Sequence, residues 1–135
     1  MMTQRRNVSS GSEFETTVGY SRAVRTGPLV VVSGTTASGD TIADQAREAL
    51  RRIETALNEV EASMSDVVRT RMYVTDISRW REVADVHAEV FGDIRPAATM
   101  VEVSSLISPE PMVEIEVDAY ICGASGENRP SASGR

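Results

Sequence analysis

The chain has 135 residues, room for one domain and not for two separate cores, since compact domains commonly run about 100 to 150 residues. With 41% hydrophobic, 25% charged and 4% aromatic residues it has a globular composition whose core must be packed from Leu, Ile, Val and Ala. A formal charge of −6 argues against a phosphate-tracking surface, so no nucleic-acid partner is expected, and the 14 basic residues are arginines, suited to carboxylates and fixed ion pairs.

Residues 1–15 are polar and offer at most a short edge strand near Arg6–Ser9. The single domain is expected over 16–122. Tyr20–Arg25 and Leu29–Ser33 flank Thr26, Gly27 and Pro28, which predicts two strands around a tight turn. From Thr41 to about Ser63, Ile42, Ala46, Ala49, Leu50, Ile53, Leu57 and Val60 recur at helical spacing, with charges of alternating sign on the other face. Val67–Thr75 is rich in β-branched residues and predicts a strand. Ser78–Phe91 returns to helical spacing through Trp80, Val83, Ala84, His87, Val90 and Phe91, with Gly92 as its stop. Two more strands follow, Met100–Val103 and Val113–Ile121, the second alternating Val113, Ile115 and Val117 with Glu114, Glu116 and Asp118. The tail 123–135 is Gly-, Ser- and Pro-rich and is expected to be disordered. This order predicts an α+β domain with two helices on one face of a mixed sheet, its other face buried between subunits.

Cys122 is the single cysteine, so no intrachain disulfide forms. No run approaches the roughly 18 apolar residues of a membrane span, and a cytoplasmic protein without a membrane partner is expected. One histidine and one cysteine do not make a metal site, and neither a metal nor a cofactor is expected. His87 falls on the apolar stripe of its helix, the place of a hydrogen-bonded core or interface histidine rather than of a catalytic one. The glycines of Ser33–Asp40 lack the lysine and the spacing of a phosphate cradle and predict a turn.

Arg69, Arg71 and Tyr73 share one strand face, and Glu114, Glu116 and Asp118 share another. Two readings remain open for them. One is a row of cross-strand ion pairs. The other is a cleft in which a guanidinium holds a ligand carboxylate while a glutamate positions water or exchanges a proton.

Tyr20–Val24 (YSRAV), Val31–Gly34 (VVSG), Val67–Ile77 (VVRTRMYVTDI), Arg95–Val103 (RPAATMVEV) and Val113–Ala119 (VEIEVDA) resemble the successive landmarks of the Rid (YjgF) family, from about Gly19 to Ala119. The resemblance implies a chorismate-mutase-like α+β fold and a homotrimer whose sheets form a central barrel. It implies ligand clefts between subunits, where typical members hydrolyse amino-acid-derived enamines or imines without a cofactor. Tyr20 and Gly34 match cleft residues, and Glu114 matches the glutamate credited with positioning water. Ala98 stands where the family's carboxylate-gripping arginine belongs, followed by Thr99, and Met100 replaces a cysteine or small residue. Ala84 stands where some deaminating members have an asparagine. Losing a bidentate guanidinium removes about 1.5 to 3 kcal/mol, roughly a tenfold to hundredfold weakening for a carboxylate ligand.

Arg71 and Arg95 are the expected substitutes, each weighed against a structural role: a cross-strand ion pair for Arg71, a surface charge for Arg95. The expected function is thus a Rid-like cleft for small imine, enamine or carbonyl-derived metabolites. The alternatives are a non-catalytic metabolite-binding module and, less in keeping with the acidic charge, an endoribonuclease.

Overall fold

The computed structural model describes residues 4–123. The sequence-predicted tail lies, from residue 124 on, outside the described residues. One six-stranded sheet carries two main helices, the mixed α+β architecture expected from the element order. The strands are β1 (Arg5–Val8), β2 (Ala23–Thr26), β3 (Leu29–Thr35), β4 (Val67–Val74), β5 (Ala97–Glu102) and β6 (Val113–Tyr120). The helices are α1 (Ile42–Glu59) and α2 (Trp80–Phe91). Across the sheet the strands run β1-β2-β3-β6-β4-β5, with β4 and β5 parallel and the remaining pairs antiparallel.

β2 and β3 form the predicted hairpin, closed by Gly27 and Pro28 between Thr26 and Leu29. Gly27 takes φ +60°, a conformation a side chain would strain. α1 starts where Thr41 accepts a hydrogen bond from the Asp44 N–H at 3.0 Å, a side-chain cap for one of the helix's orphan donors. It ends at Glu59 rather than near Ser63. Glu61 turns left-handed (φ 61°), and Ser63 and Asp66 close a capping box that starts a separate 3₁₀ turn.

α2 departs from its expected stripe at one end. Trp80 is 45% exposed and lies under the Arg81 guanidinium, 4.7 Å from its ring centroid, so it belongs to the surface and not to the core. Gly92 is the C-cap but stays right-handed (φ −56°), and the left-handed residue is Arg95 (φ 59°). His87 takes the hydrogen-bonded core position: its Nε2 is 2.9 Å from Thr70 Oγ1, its ring 4.7 Å from Phe91.

Both helices pack on one face of the sheet. Ile42, Leu50, Ile53 and Leu57 of α1, with Val83, Val86 and Phe91 of α2, meet Val30, Val74, Val113, Ile115 and Val117, all essentially inaccessible to water. The opposite face is uncovered in the single chain. Leu29, Val31, Val101 and Tyr120 are exposed. No helix among the described residues is long and apolar enough to cross a membrane.

Ile53 is fully buried at the middle of α1, so truncating it leaves a cavity that the close-packed layer cannot fill. Ile53→Ala is expected to lower the unfolding free energy by about 2 to 5 kcal/mol, measured by urea titration.

Candidate functional site

On β6 the side chains of Val113, Ile115, Val117 and Ala119 are buried under the helices, which sends Glu114, Glu116 and Asp118 to the uncovered face. The three carboxylates have different surroundings. Arg71 Nη1 on β4 lies 3.1 Å from Glu116 Oε2 and 3.4 Å from Asp118 Oδ2, and the Tyr73 hydroxyl donates to Glu116 Oε1 at 3.0 Å. Burial, and then the bond to Glu116, push the Tyr73 phenol above its ordinary value. Arg71 is therefore engaged in cross-strand pairs.

The Glu114 carboxylate receives no hydrogen bond among the described residues. The group is half-buried, and desolvation raises its pKa above the usual carboxylate value. The neighbouring Glu116 adds to the rise and Arg22 opposes it. A carboxyl so placed holds a proton more readily than an exposed glutamate, a property that suits proton exchange with a substrate.

Gly34 makes room for it. A Cβ at this position would approach the Glu114 Cδ to 2.8 Å and run into Oε2, so any side chain here would displace the carboxylate. The strand is irregular at this point, with a register shift against β6 between Val32 and Thr35.

Arg22, just before β2, is the guanidinium beside Glu114. Its Nη2 donates to the Gly34 carbonyl at 2.6 Å, while Nε is buried without a hydrogen-bond partner. Burial lowers its pKa below the ordinary arginine value. Tyr20, Glu15 and Glu114 counteract this electrostatically, and Arg52 reinforces it. No carboxylate comes within ion-pair distance of Arg22 among the described residues.

Tyr20 enters from a π-helical turn, Glu15–Gly19, and donates its own N–H to the Glu15 carbonyl at 3.0 Å. The Glu15 carboxylate is held in turn by the Ser9 and Ser10 hydroxyls and the Ser10 N–H. These bonds fasten the amino-terminal segment beside Tyr20 and Arg22.

The structure thus gathers Gly34, Glu114 and Arg22, with Tyr20 near enough to act electrostatically on Arg22. The other candidates lie elsewhere. Ala98 and Met100 pair with Thr70 and Met72, which are buried on the helix-covered face, so both point to that face at the edge of the sheet. Thr99 pairs with Arg71 and points to the uncovered face. Arg95 borders a shallow cavity with His87, Phe91 and Pro96, at the β5 edge. Ala98 and Glu114 are therefore on opposite faces and two strands apart, roughly 10 Å laterally, beyond what one chain can bring together.

Arg22 lies within YSRAV, but the sequence carries no signal of its place beside Glu114, which depends on the β3 irregularity that aims the Gly34 carbonyl at it. Cys122 is exposed and free. Among the described residues no group of three or more His, Cys, Asp or Glu side chains is placed to hold a metal ion.

A family model described as endoribonuclease L-PSP matches residues 10–121. An uncharacterised protein of Streptomyces coelicolor is 34% identical over 122 residues, 85% of this chain and 91% of that protein. A RutC family protein of Pyrococcus horikoshii is 34% identical over 75% of this chain and 86% of its own length. Among solved structures, Rv2704 of Mycobacterium tuberculosis, described as a member of the YjgF/YER057c/UK114 family, is 69% identical. Its TM-score is 0.86 over 87% of this chain and 100% of that one.

The raised pKa of Glu114 has a stability consequence with a definite sign. Folding stability linked to a raised carboxyl pKa is fully present below the ordinary value of 4.5 and is lost as pH rises through the folded-state value. Glu114→Gln, which removes the charge and keeps the shape, is expected to melt above wild type near pH 7, the gap closing toward about pH 4 in melting curves followed by circular dichroism.

Proposed function

Because the chain belongs to the Rid (YjgF/RutC) family, we propose that it assembles as a cytoplasmic homotrimer whose inter-subunit clefts take small imines, enamines or related carbonyl-derived metabolites, with Glu114 as the acid–base group. The observation that carries this reading is the Glu114 carboxyl: half-buried, without a donor among the described residues, its proton affinity raised, and seated against Gly34, where a side chain would push it aside.

In imine hydrolysis Glu114 takes a proton from water as its oxygen adds to the C=N carbon and passes a proton to the nitrogen. The resulting carbinolamine loses ammonia and leaves a carbonyl. The chain's own residues supply positioning and proton transfer for these steps, with Arg22 as the nearest positive charge.

The assembly is supported by the division of the landmark residues between two faces. Glu114 lies against Gly34 on the uncovered surface, whereas Ala98 and Met100 are at the β5 edge on the covered side. A second copy docked on the uncovered face would bring its β5 edge to the first copy's Glu114, and would also cover Leu29, Val31 and Tyr120.

A second reading, metabolite binding without turnover, is favoured by Ala98. The guanidinium implied there by the family resemblance is missing, and Arg71 is committed to Glu116 and Asp118. A ribonuclease role is disfavoured by the row of Glu114, Glu116 and Asp118, which repels phosphates, and by the single histidine.

Purified protein is expected to elute at about three times the 14.6 kDa chain mass in light scattering, and a stable monomer would remove the proposed cleft. With 2-aminoacrylate generated in situ, release of ammonia and keto acid is expected above the buffer rate. Glu114→Gln should lower it by about a hundredfold or more. A rate equal to buffer across several amino-acid-derived imines, with saturable binding of unchanged ligand, would decide for the binding module.

A further inference from the structure

Arg22 also borders a space that Glu114 does not line. A cavity of about 660 Å³ lies between α1 and the amino-terminal segment, and of the Tyr20, Arg22, Gly34 and Glu114 group only Arg22 lines it. Arg51, Arg52 and Thr55 of α1 form one wall, Ser9–Ser12 another, and Thr36 lies beside Arg22 at the sheet end. The space is built within one chain, and its wall is secured by the bonds of Ser9 and Ser10 to Glu15.

The polar groups around this space are unevenly satisfied. Arg51 is matched by Glu48 through two hydrogen bonds, and Arg52 shares that carboxylate at 3.3 Å while its Nη1 holds the Thr36 carbonyl. Arg22 has only the Gly34 carbonyl, with Nε buried and unpartnered. The hydroxyls of Ser12 and Thr36 donate to nothing among the described residues. One carboxylate, Glu59, lines the cavity against three guanidinium groups. Glu48 pairs with Arg51 and Arg52, so Arg22 is the guanidinium left without a contacting anion among the described residues, and a half-buried cation in that state is unfavourable until an anion is supplied.

We propose that this cavity binds a compact oxyanion, a carboxylate or a phosphate, between Arg22 and Arg52, with the Ser12 and Thr36 hydroxyls as neutral donors. Planar guanidinium donors and hydroxyls match the oxygens of either group, and the volume admits a small metabolite but no polymer. The site shares Arg22 with the Glu114 group but uses neither the Glu114 carboxylate nor turnover there.

The test is a calorimetric titration of the full-length protein at low ionic strength with inorganic phosphate and, separately, with malonate, repeated with ¹⁵N-labelled protein to map the shifts. Saturable binding is expected, with the amides of Ser12 and Thr36 and the Arg22 Nε–H moving. Arg52→Gln, at an exposed helix position, should weaken it by roughly tenfold or more with an unchanged melting temperature, and Arg22→Gln should weaken it too. Saturation by one anion and not the other would support the site and identify its source as phosphate or carboxylic acid. Glu114→Gln should bind as wild type does, even if no imine is ever hydrolysed. The proposal falls if neither anion saturates, if Arg52→Gln and Arg22→Gln keep wild-type affinity, or if Glu114→Gln abolishes binding and Arg52→Gln does not.

Discussion

The two-residue period of β6 is the constraint on which the rest of the molecule depends. At the centre of the sheet, between β3 and β4, the strand must give α1 and α2 an unbroken apolar surface, and Val113, Ile115, Val117 and Ala119 supply it with no exposed area. The same alternation leaves Glu114, Glu116 and Asp118 with no place but the other face. A one-residue slip in register would drive three carboxylates into the core, where each would cost several kcal/mol unless neutralised, so the core fixes the chemistry-bearing side chains. Arg71 and Tyr73 on β4 meet two of the three, which accounts for the ordering of Glu116 and Asp118. Glu114 is left over because its partner on β4, Tyr73, gives its hydroxyl to Glu116, and Gly34 on β3 has no side chain to donate.

Much of this was legible in the sequence, and where it was not, the reason is physical. The period of α1, the alternation of β6 and the Gly27–Pro28 turn each depend on local rules, and the structure has them where the residues place them. Trp80 was misread because helical spacing says which residues share a face and not whether the first turn overhangs the sheet. Its ring lies outside, under Arg81. The end of α1 was overrun because Glu61, a non-glycine residue, adopts the left-handed conformation that a sequence reader assigns to glycine. Arg71 could be read either as an ion-pair partner or as a ligand anchor, since the choice turns on cross-strand register, and Arg71 pairs directly with Glu116. Arg22 could not be read at all. Its relation to Glu114 passes through the shifted register of β3 and the exposed Gly34 carbonyl, two features without a sequence signature of their own.

Ala98 is the departure from the family pattern that bears most on the site. Under the resemblance, the missing guanidinium at Ala98 would belong to the covered face at the β5 edge, and would approach a carboxylate only from another subunit. Arg22 is instead on the same chain as Glu114, tied by its Nη2 to the residue that makes room for that carboxylate. A guanidinium so placed needs no partner to be positioned, and its charge also steadies the ionised form of Glu114, which opposes the effect of burial and of Glu116. The two arrangements therefore differ in what they ask of a ligand. A guanidinium facing Glu114 from across a boundary sets the distance between a carboxylate and the reacting carbon by how the subunits dock. One beside Glu114 on the same chain would fix that distance within the fold, whatever the assembly.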